Sequence, residues 1–210
     1  MAATSKEAHH REIPPGFEIF EAAFCRPPPA LERILAETRA LGFALASEKQ
    51  TGALLRVLAM SKPGSRILEI GTGTGVGTSW LLDGMDSTSS IVSVEIDPKL
   101  QAVAREALGP DPRLQLICAD AALFVAQQPP ASFDLIFADA IAGKYECLEE
   151  TLRLLRHGGL YVVDDMLPQS NWPENHAFRV SDLLARVTRR DDLVGVGLAW
   201  ASGLVLLTRR

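Results

Sequence analysis

A regular alternation of two patterns begins at Arg66 and limits the architectures open to this chain. Short runs of β-branched and other apolar residues alternate with stretches of helical spacing. This alternation predicts right-handed β–α–β crossovers and a mostly parallel, doubly wound sheet of the α/β class. The predicted strands are Arg66–Ile70, Ile91–Glu95, Leu114–Cys118, Phe133–Asp139 and Leu160–Asp164, and the helices between them include Pro98–Leu108 and Lys144–Arg156.

The carboxyl-terminal part departs from this alternation. Residues Asn175–Arg190 have helical spacing, and the apolar runs Leu193–Trp200 and Leu204–Thr208 flank the short sequence Ala201-Ser202-Gly203. Two strands joined by so short a loop predict an antiparallel hairpin.

Two helices are predicted ahead of the first strand. The stretch Leu31–Leu41 has helical spacing and ends at Gly42. A second helix is expected to start at Ser47, where Gln50 would complete a capping box.

The polar residues 1–16 contain Pro14-Pro15-Gly16, which predicts a flexible N-terminal arm. The rest of the sequence has no internal repeat or linker. Residues 17–210 are therefore expected to form a single domain, with residues 17–62 as a helical cap.

Charge and composition exclude several classes of protein. Lys and Arg total 21 against 26 Asp and Glu, a net charge of −5, so no nucleic-acid partner is expected. No apolar run reaches the ~18 residues of a membrane span, and no apolar region typical of a secretory signal follows the N-terminal charges. Three cysteines without a CxxC spacing suit a reducing compartment, so we expect a cytoplasmic protein without a membrane partner.

A glycine-rich turn follows the first predicted strand, in the sequence ILEIGTGTG. Glycines allow a ligand to approach the backbone closely, and the next helix would offer free N–H groups. The dinucleotide fingerprint G-x-G-x-x-G fails, because its last position falls on Val76 counted from Gly71, or on Thr78 counted from Gly73. A purely structural tight turn remains an alternative to a ligand site.

Carboxylates end the second and third predicted strands. Glu95 lies where an acidic side chain accepts hydrogen bonds from ribose hydroxyls, whereas Asp97, followed by Pro98, suits a helix N-cap. Asp120 could accept the amine of adenine, cap the next helix, or do both. Ribose and adenine contacts without a phosphate signature favour S-adenosylmethionine (SAM) over NAD.

Five segments, in the order ILEIGTGTG, VEIDP, CAD, FDLIFADAIAGKY and GGLYVVDDML, resemble the class I SAM-dependent methyltransferases. More narrowly, the chain is similar to the catechol and caffeoyl-CoA type O-methyltransferases over roughly residues 45–208. The resemblance implies a Rossmann-like seven-stranded sheet of order 3-2-1-4-5-7-6 with an antiparallel last strand and extra N-terminal helices. It also implies the SAM contacts: Glu69, Gly71, Thr72, Gly73 and Gly75 beside the methionine part, Glu95 on the ribose, Asp120 and Ala121 on the adenine, and Asp139 bordering the cofactor.

The same resemblance implies a Mg²⁺ or Ca²⁺ site on Asp139, Asp164 and Asp165. These residues end two neighbouring predicted strands, whose carboxyl ends converge beside the cofactor crevice, and hard oxygen ligands suit such cations. The alternative is that acidic residues after strands cap loops. The family usually has Asn where this chain has Asp165, and three carboxylates would weaken the pull of a metal on a substrate hydroxyl.

The general base departs from the family as well. The Lys that the family places three residues after the first metal-binding Asp corresponds to Ala142 here. Lys144 is the candidate to replace it, with a solvent-facing position at a helix start as the alternative. His176, in the loop of residues 168–176, could serve as a base, but we expect a surface residue, as a lone His near a helix start more often is.

The resemblance implies transfer of a methyl group from SAM to a small hydroxylated, phenolic acceptor, with a divalent metal assisting if one binds. Asp139 and Lys144 are the predicted catalytic residues, and relatives of this type are commonly homodimers. A non-catalytic SAM-binding protein is one alternative. An aminopropyltransferase related to polyamine synthases is another, although residues 30–60 have helical rather than strand patterns.

Overall fold

The computed structural model describes residues 24–170 and 172–210, and these residues contain one seven-stranded sheet. Its strands are β1 (Arg66–Ile70), β2 (Ser90–Glu95), β3 (Leu114–Cys118), β4 (Phe133–Ala138), β5 (Leu155–Val163), β6 (Leu193–Leu198) and β7 (Leu204–Arg209). The strand order is β3-β2-β1-β4-β5-β7-β6, and β7 runs antiparallel to both of its neighbours. This confirms the predicted fold class and topology.

Helices cover both faces of this sheet. They are α1 (Leu31–Ala40), α2 (Lys49–Met60), α3 (Val76–Gly84), α4 (Pro98–Leu108), α5 (Ala121–Gln127), α6 (Ile141–Lys144), α7 (Leu148–Arg153) and α8 (His176–Thr188). Successive residues of a strand point to opposite faces of the sheet. Leu68 therefore packs with α5, α7 and α8, while Ile67 packs with α1 to α4. The predicted N-terminal helices thus belong to the second layer.

The register of the parallel strands brings their carboxyl ends to one edge of the sheet. Ile70 lies beside Val94 of β2 on one side and Ala138 of β4 on the other, and Ala138 lies beside Val163 of β5. The residues that follow these strands therefore meet at a single edge, as the candidate site requires.

The prediction of one continuous helix over Lys144–Arg156 is wrong. The chain instead makes the short turn α6, continues through Cys147 in the left-handed region at φ 47°, and forms α7 only over Leu148–Arg153. Gly143, at φ 85°, and Cys147 interrupt the helical path. Strand β5 then begins at Leu155 instead of Leu160, with a register irregularity against β4.

Two of the predicted helix N-caps are confirmed, and one is wrong. Asp97 and Asp120 cap α4 and α5, accepting bonds from the backbone N–H groups of Lys99 and Ala122. The capping box at Ser47 is wrong, because α2 starts at Lys49 without a side-chain cap. The Ser47 hydroxyl is used elsewhere, at the edge of the sheet described above.

Some predictions fall outside the described residues: the flexible arm of residues 1–16, and the part of the helical cap that precedes residue 24. The division into an arm and a single domain stays a prediction. Within the described part of the chain, no helix has the length and apolar character needed to cross a membrane.

Candidate functional site

The glycine turn joins β1 to α3 directly beneath the edge where the strands end. Gly71 has φ 100°, a backbone conformation that other residues rarely adopt, and its N–H donates to the carbonyl of Val94 at 2.9 Å. A Cβ on Gly71 would lie 2.7 Å from the backbone oxygen of Asp139. The sequence therefore needs glycine here to bring the ends of β1, β2 and β4 together.

Glu69 is fully buried behind this turn. Its Oε2 accepts hydrogen bonds from the hydroxyls of Thr78 and of Ser93, the latter at 2.5 Å. Its Oε1 has no hydrogen-bond partner in the described part of the chain. Burial raises the pKa of Glu69 to about 8, so the carboxyl group is mostly protonated at neutral pH.

Glu95 lies at the end of β2, facing the turn. Its Oε2 accepts from the N–H of Gly73 at 2.7 Å, and its Oε1 accepts from the N–H groups of Ile96 and Asp97 at 2.9 and 3.0 Å. These bonds fix the carboxylate beside the glycine turn, and each oxygen has two lone-pair sites. Asp120 is exposed at the end of β3 and, besides capping α5, can accept a further bond.

The three aspartates predicted to bind metal have separate protein partners. Asp139 Oδ2 accepts from the hydroxyl of Ser47 at 3.0 Å. Asp164 Oδ1 accepts from the hydroxyl of Ser202 at 2.5 Å and from the N–H of Asp165 at 2.7 Å. Each carboxylate is therefore oriented by neutral donors from loops at the sheet edge.

Asp165 is held by the loop that follows it, although its charge still raises the pKa of both Asp139 and Asp164. Its backbone has φ 66°, a left-handed conformation that Asp tolerates better than most residues. Its Oδ1 accepts from Trp172 Nε1 at 2.8 Å, and its Oδ2 lies 3.4 Å from Nε2 of His176. The side chain thus belongs to the 168–176 loop more than to the other aspartates.

Lys144 reaches the site, as one of its two predicted alternatives required. Its side chain is only 4% exposed, and its Nζ lies 3.9 Å from Asp139 Oδ1. The same Nζ donates to the backbone carbonyl of Asp164 at 3.1 Å. The interrupted helix around Gly143 turns this lysine inward instead of toward solvent.

The residues present do not fit a divalent metal site. Across residues 24–170 and 172–210, no three His, Cys, Asp or Glu side chains are grouped so that they could hold a metal ion. An ammonium group already lies between the carboxylate of Asp139 and the backbone of Asp164, and Asp165 is held by Trp172. The metal site predicted on these aspartates is therefore not supported by the donor geometry.

Burial and charge change the acidity of two of these groups. Burial and the neighbouring Asp164 raise the pKa of Asp139 to about 7, although Lys144 and Ser47 act in the opposite direction. Burial also raises the pKa of Asp164. Asp139 consequently exchanges a proton near neutral pH, which suits a general base.

A cavity of about 390 Å³ opens beside these groups. Its lining combines the acids and Lys144 with apolar and aromatic side chains, among them Leu45, Ile141, Tyr145 and Trp172. The cavity has the size and the mixed lining of a site for a small organic molecule.

His176 was expected at the surface, and this is wrong. It is only 7% exposed, with its Nε2 3.1 Å from the Tyr145 hydroxyl and its ring centroid 4.4 Å from that of Trp172. From the loop of residues 168–176, Gln169, Trp172, Pro173 and His176 line the cavity. The sequence signal that could have indicated the burial of His176 was its position close after Trp172.

The N-terminal helices were predicted to contribute to the pocket, but no individual residue of the segment between α1 and α2, residues 41–48, was assigned to the site. Ser47 bonds to Asp139, and Ala44 to Glu48 line the cavity. The ring of Phe43 packs over the glycine turn. It lies so close that a Cβ added to Gly73 would be 3.2 Å from it. Nothing local in the sequence indicates these contacts, since they join residues far apart in the chain.

Comparisons with known proteins agree with this geometry. Residues 68–166 match the model of a family described as a methyltransferase domain. A Mycobacterium tuberculosis protein named as a probable O-methyltransferase is 38% identical over 118 residues, which cover 53% of this chain and 52% of that protein. The chain thus spans about half the length of the curated relatives it matches.

Solved structures share the fold over almost the whole chain. The cofactor-bound Rv0187 from Mycobacterium tuberculosis is 26% identical with a TM-score of 0.81, and the match covers 95% of this chain and 99% of that one. The O-methyltransferase TomG from Streptomyces achromogenes, in complex with SAM, is 23% identical with a TM-score of 0.78, covering 91% and 94%. These comparisons confirm the predicted resemblance to SAM-dependent methyltransferases.

Proposed function

We propose that this chain, whose central segment matches a methyltransferase domain, transfers a methyl group from SAM to the oxygen of a small phenolic acceptor. The observation that carries the proposal is the cavity of about 390 Å³, which is lined by the partly buried carboxylate of Asp139 together with Lys144, Tyr145 and Trp172. The cofactor-bound relatives share the sheet that forms this edge.

The chain's own groups fit SAM. The free oxygen of Glu69 lies behind the turn, Glu95 is fixed beside Gly73, and the absence of a side chain at Gly71 lets the turn pack closely against Asp139 at the end of β4. When bound, SAM supplies an electrophilic methyl group. In this proposal Glu69, Gly71, Thr72, Gly73 and Gly75 hold its methionine part, Glu95 its ribose, and Asp120 with Ala121 its adenine, while Asp139 borders it.

Asp139 and Lys144 serve the acceptor side. Asp139, with a pKa of about 7, accepts the proton of the acceptor hydroxyl. Trp172, Ile141 and Tyr145 supply flat and apolar walls that suit an aromatic ring and limit water at the reacting oxygen. Holding the hydroxyl in line with the methyl group supplies much of the rate enhancement. No step of the proposal passes through a divalent ion.

The alternatives receive less support. The described residues of the cap form helices α1 and α2, rather than the β-rich unit expected of an aminopropyltransferase. A non-catalytic SAM-binding protein would not need a buried lysine beside an acid at the cavity. A cytoplasmic location and a homodimer stay predictions.

Two measurements test the proposed function. Calorimetric titration with S-adenosylhomocysteine should show one site per chain, and radiolabelled SAM should methylate members of a panel of phenols and catechols. Asp139→Asn should retain the calorimetric site while losing about a hundredfold or more of the transfer rate. Binding without transfer to any acceptor would favour the non-catalytic alternative, and absence of binding would refute the proposal.

A further inference from the structure

Among the described residues, Lys144 places a cation of the protein itself at the acid cluster. Lys144 is 96% buried, yet its ammonium lies 3.9 Å from Asp139 Oδ1 and 3.1 Å from the backbone oxygen of Asp164. A charged group this deeply buried needs compensating partners, and these two acidic residues provide them. The cluster is therefore balanced, in part, by a covalently attached positive charge.

The backbone holds this ammonium in place. Gly143 has φ 85°, and its carbonyl accepts a hydrogen bond from the hydroxyl of Tyr161, which is fully buried in β5. Lys144 ends the short helix α6, and the next helix starts only at Leu148, after Cys147. Lys144 is therefore not part of a continuous regular helix. The lysine position is set by the core, which makes its charge a fixed element of the site.

The carboxylates are correspondingly arranged around partners other than a metal. Asp165 is bonded to Trp172 and lies near His176, while Asp164 accepts from Ser202. Mg²⁺ demands near-ideal octahedral oxygen geometry, and Ca²⁺ needs six to eight oxygen ligands. An ammonium close to two of the acids opposes either ion by direct repulsion.

We propose that Lys144 takes the place of a divalent cation in this site, so that binding and orientation of an anionic acceptor oxygen depend on its ammonium and not on Mg²⁺ or Ca²⁺. Lys144 has three N–H donors, one of which is used by Asp164, and the side chain lines the cavity. The remaining donors can reach an oxygen placed beside Asp139. The acceptor role rests on the proposed function; the exclusion of divalent ions does not.

The first test uses thermal unfolding of chelator-treated protein with and without Mg²⁺ or Ca²⁺. Wild type should show no rise in melting temperature with either ion. Lys144→Met, which keeps the unbranched stem of the side chain and removes the ammonium, leaves Asp139 and Asp164 without a counter-charge. Its melting temperature should rise with either ion, as binding to the folded state requires. Lys62→Met is the matched control, because Lys62 donates to a backbone carbonyl on the exposed surface, and it should behave as wild type.

The second test follows the reaction. Methyl transfer by wild type should persist after chelation, and Lys144→Met should lose about a hundredfold or more, as removal of a preorganised electrostatic group does. A wild-type melting temperature or rate that depends on Mg²⁺ or Ca²⁺ overturns the proposal, and this result does not need the variant to fold. A folded Lys144→Met that ignores both ions also overturns it.

Failure of the proposed function is recognised separately. A protein that does not bind S-adenosylhomocysteine in the calorimeter fails as a methyltransferase, whatever its response to ions. The thermal measurements on wild type and on Lys144→Met decide the role of Lys144 toward divalent ions in either case.

Discussion

Replacing Glu69 with Gln should change how the stability of the fold depends on pH. In the unfolded chain Glu69 loses its proton near its ordinary pKa of 4.5, whereas in the folded chain it does so near 8. Between these values the folded state holds the extra proton, so raising the pH destabilises the fold until the pH passes about 8. Stability from this group is complete only below the lower value.

The size of the effect follows from the same shift. Each pKa unit corresponds to about 1.4 kcal/mol, so wild type should lose about 4 kcal/mol from this group between about pH 5 and pH 8.5. In Glu69→Gln the amide oxygen can still accept from Thr78 and Ser93, and no proton is lost. The variant should therefore be more stable than wild type at alkaline pH.

Urea unfolding at several pH values measures this difference. Asp139 and Asp164 also have raised pKa values, but they are present in both proteins and cancel in the comparison. Glu37→Gln, at an exposed position of α1, serves as the control and should follow wild type. Parallel stability curves for wild type and Glu69→Gln would refute the argument that burial governs this carboxyl group.

Three further substitutions test other parts of the site. Glu95→Ala should weaken S-adenosylhomocysteine binding at least tenfold in the calorimeter, since each charge-assisted hydrogen bond contributes about 1.5–3 kcal/mol; unchanged affinity would remove Glu95 from the ribose. Gly71→Ala should lower the free energy of unfolding by about 1–3 kcal/mol, because φ 100° and the 2.7 Å approach to Asp139 both oppose a Cβ; a wild-type denaturation curve would contradict this. Trp172→Phe should raise the acceptor KM severalfold while cofactor affinity stays constant, because Asp165 loses its donor; equal losses of both would indicate general damage.

The sheet was predictable because its information is local. Each strand is a short apolar run ending at a polar or glycine residue, and the crossover rule then limits the topology. The positions of Glu69, Glu95 and Asp139 at one edge follow directly, since parallel strands present their carboxyl ends together.

The chemistry of the cavity was less accessible. The burial of Lys144 accompanies a helical path that is interrupted at Gly143 and Cys147, whereas periodicity alone predicted an uninterrupted helix. The contact of Ser47 with Asp139 joins residues 92 positions apart, and the local capping pattern gave a different role to this serine. For both Lys144 and Ser47, tertiary contacts override the local sequence pattern on which the prediction was based.

The segment of residues 41–48 touches both halves of the site, with Phe43 against the glycine turn and Ser47 on Asp139 at the cavity. A ligand bound at either place contacts the same short stretch of backbone. Where one ligand alters the position or freedom of that stretch, it alters the affinity for the second, and thermodynamic linkage makes the factor equal in both directions. Substitutions in residues 41–48 are therefore expected to change the cooperativity between cofactor and acceptor without replacing Glu95 or Asp139.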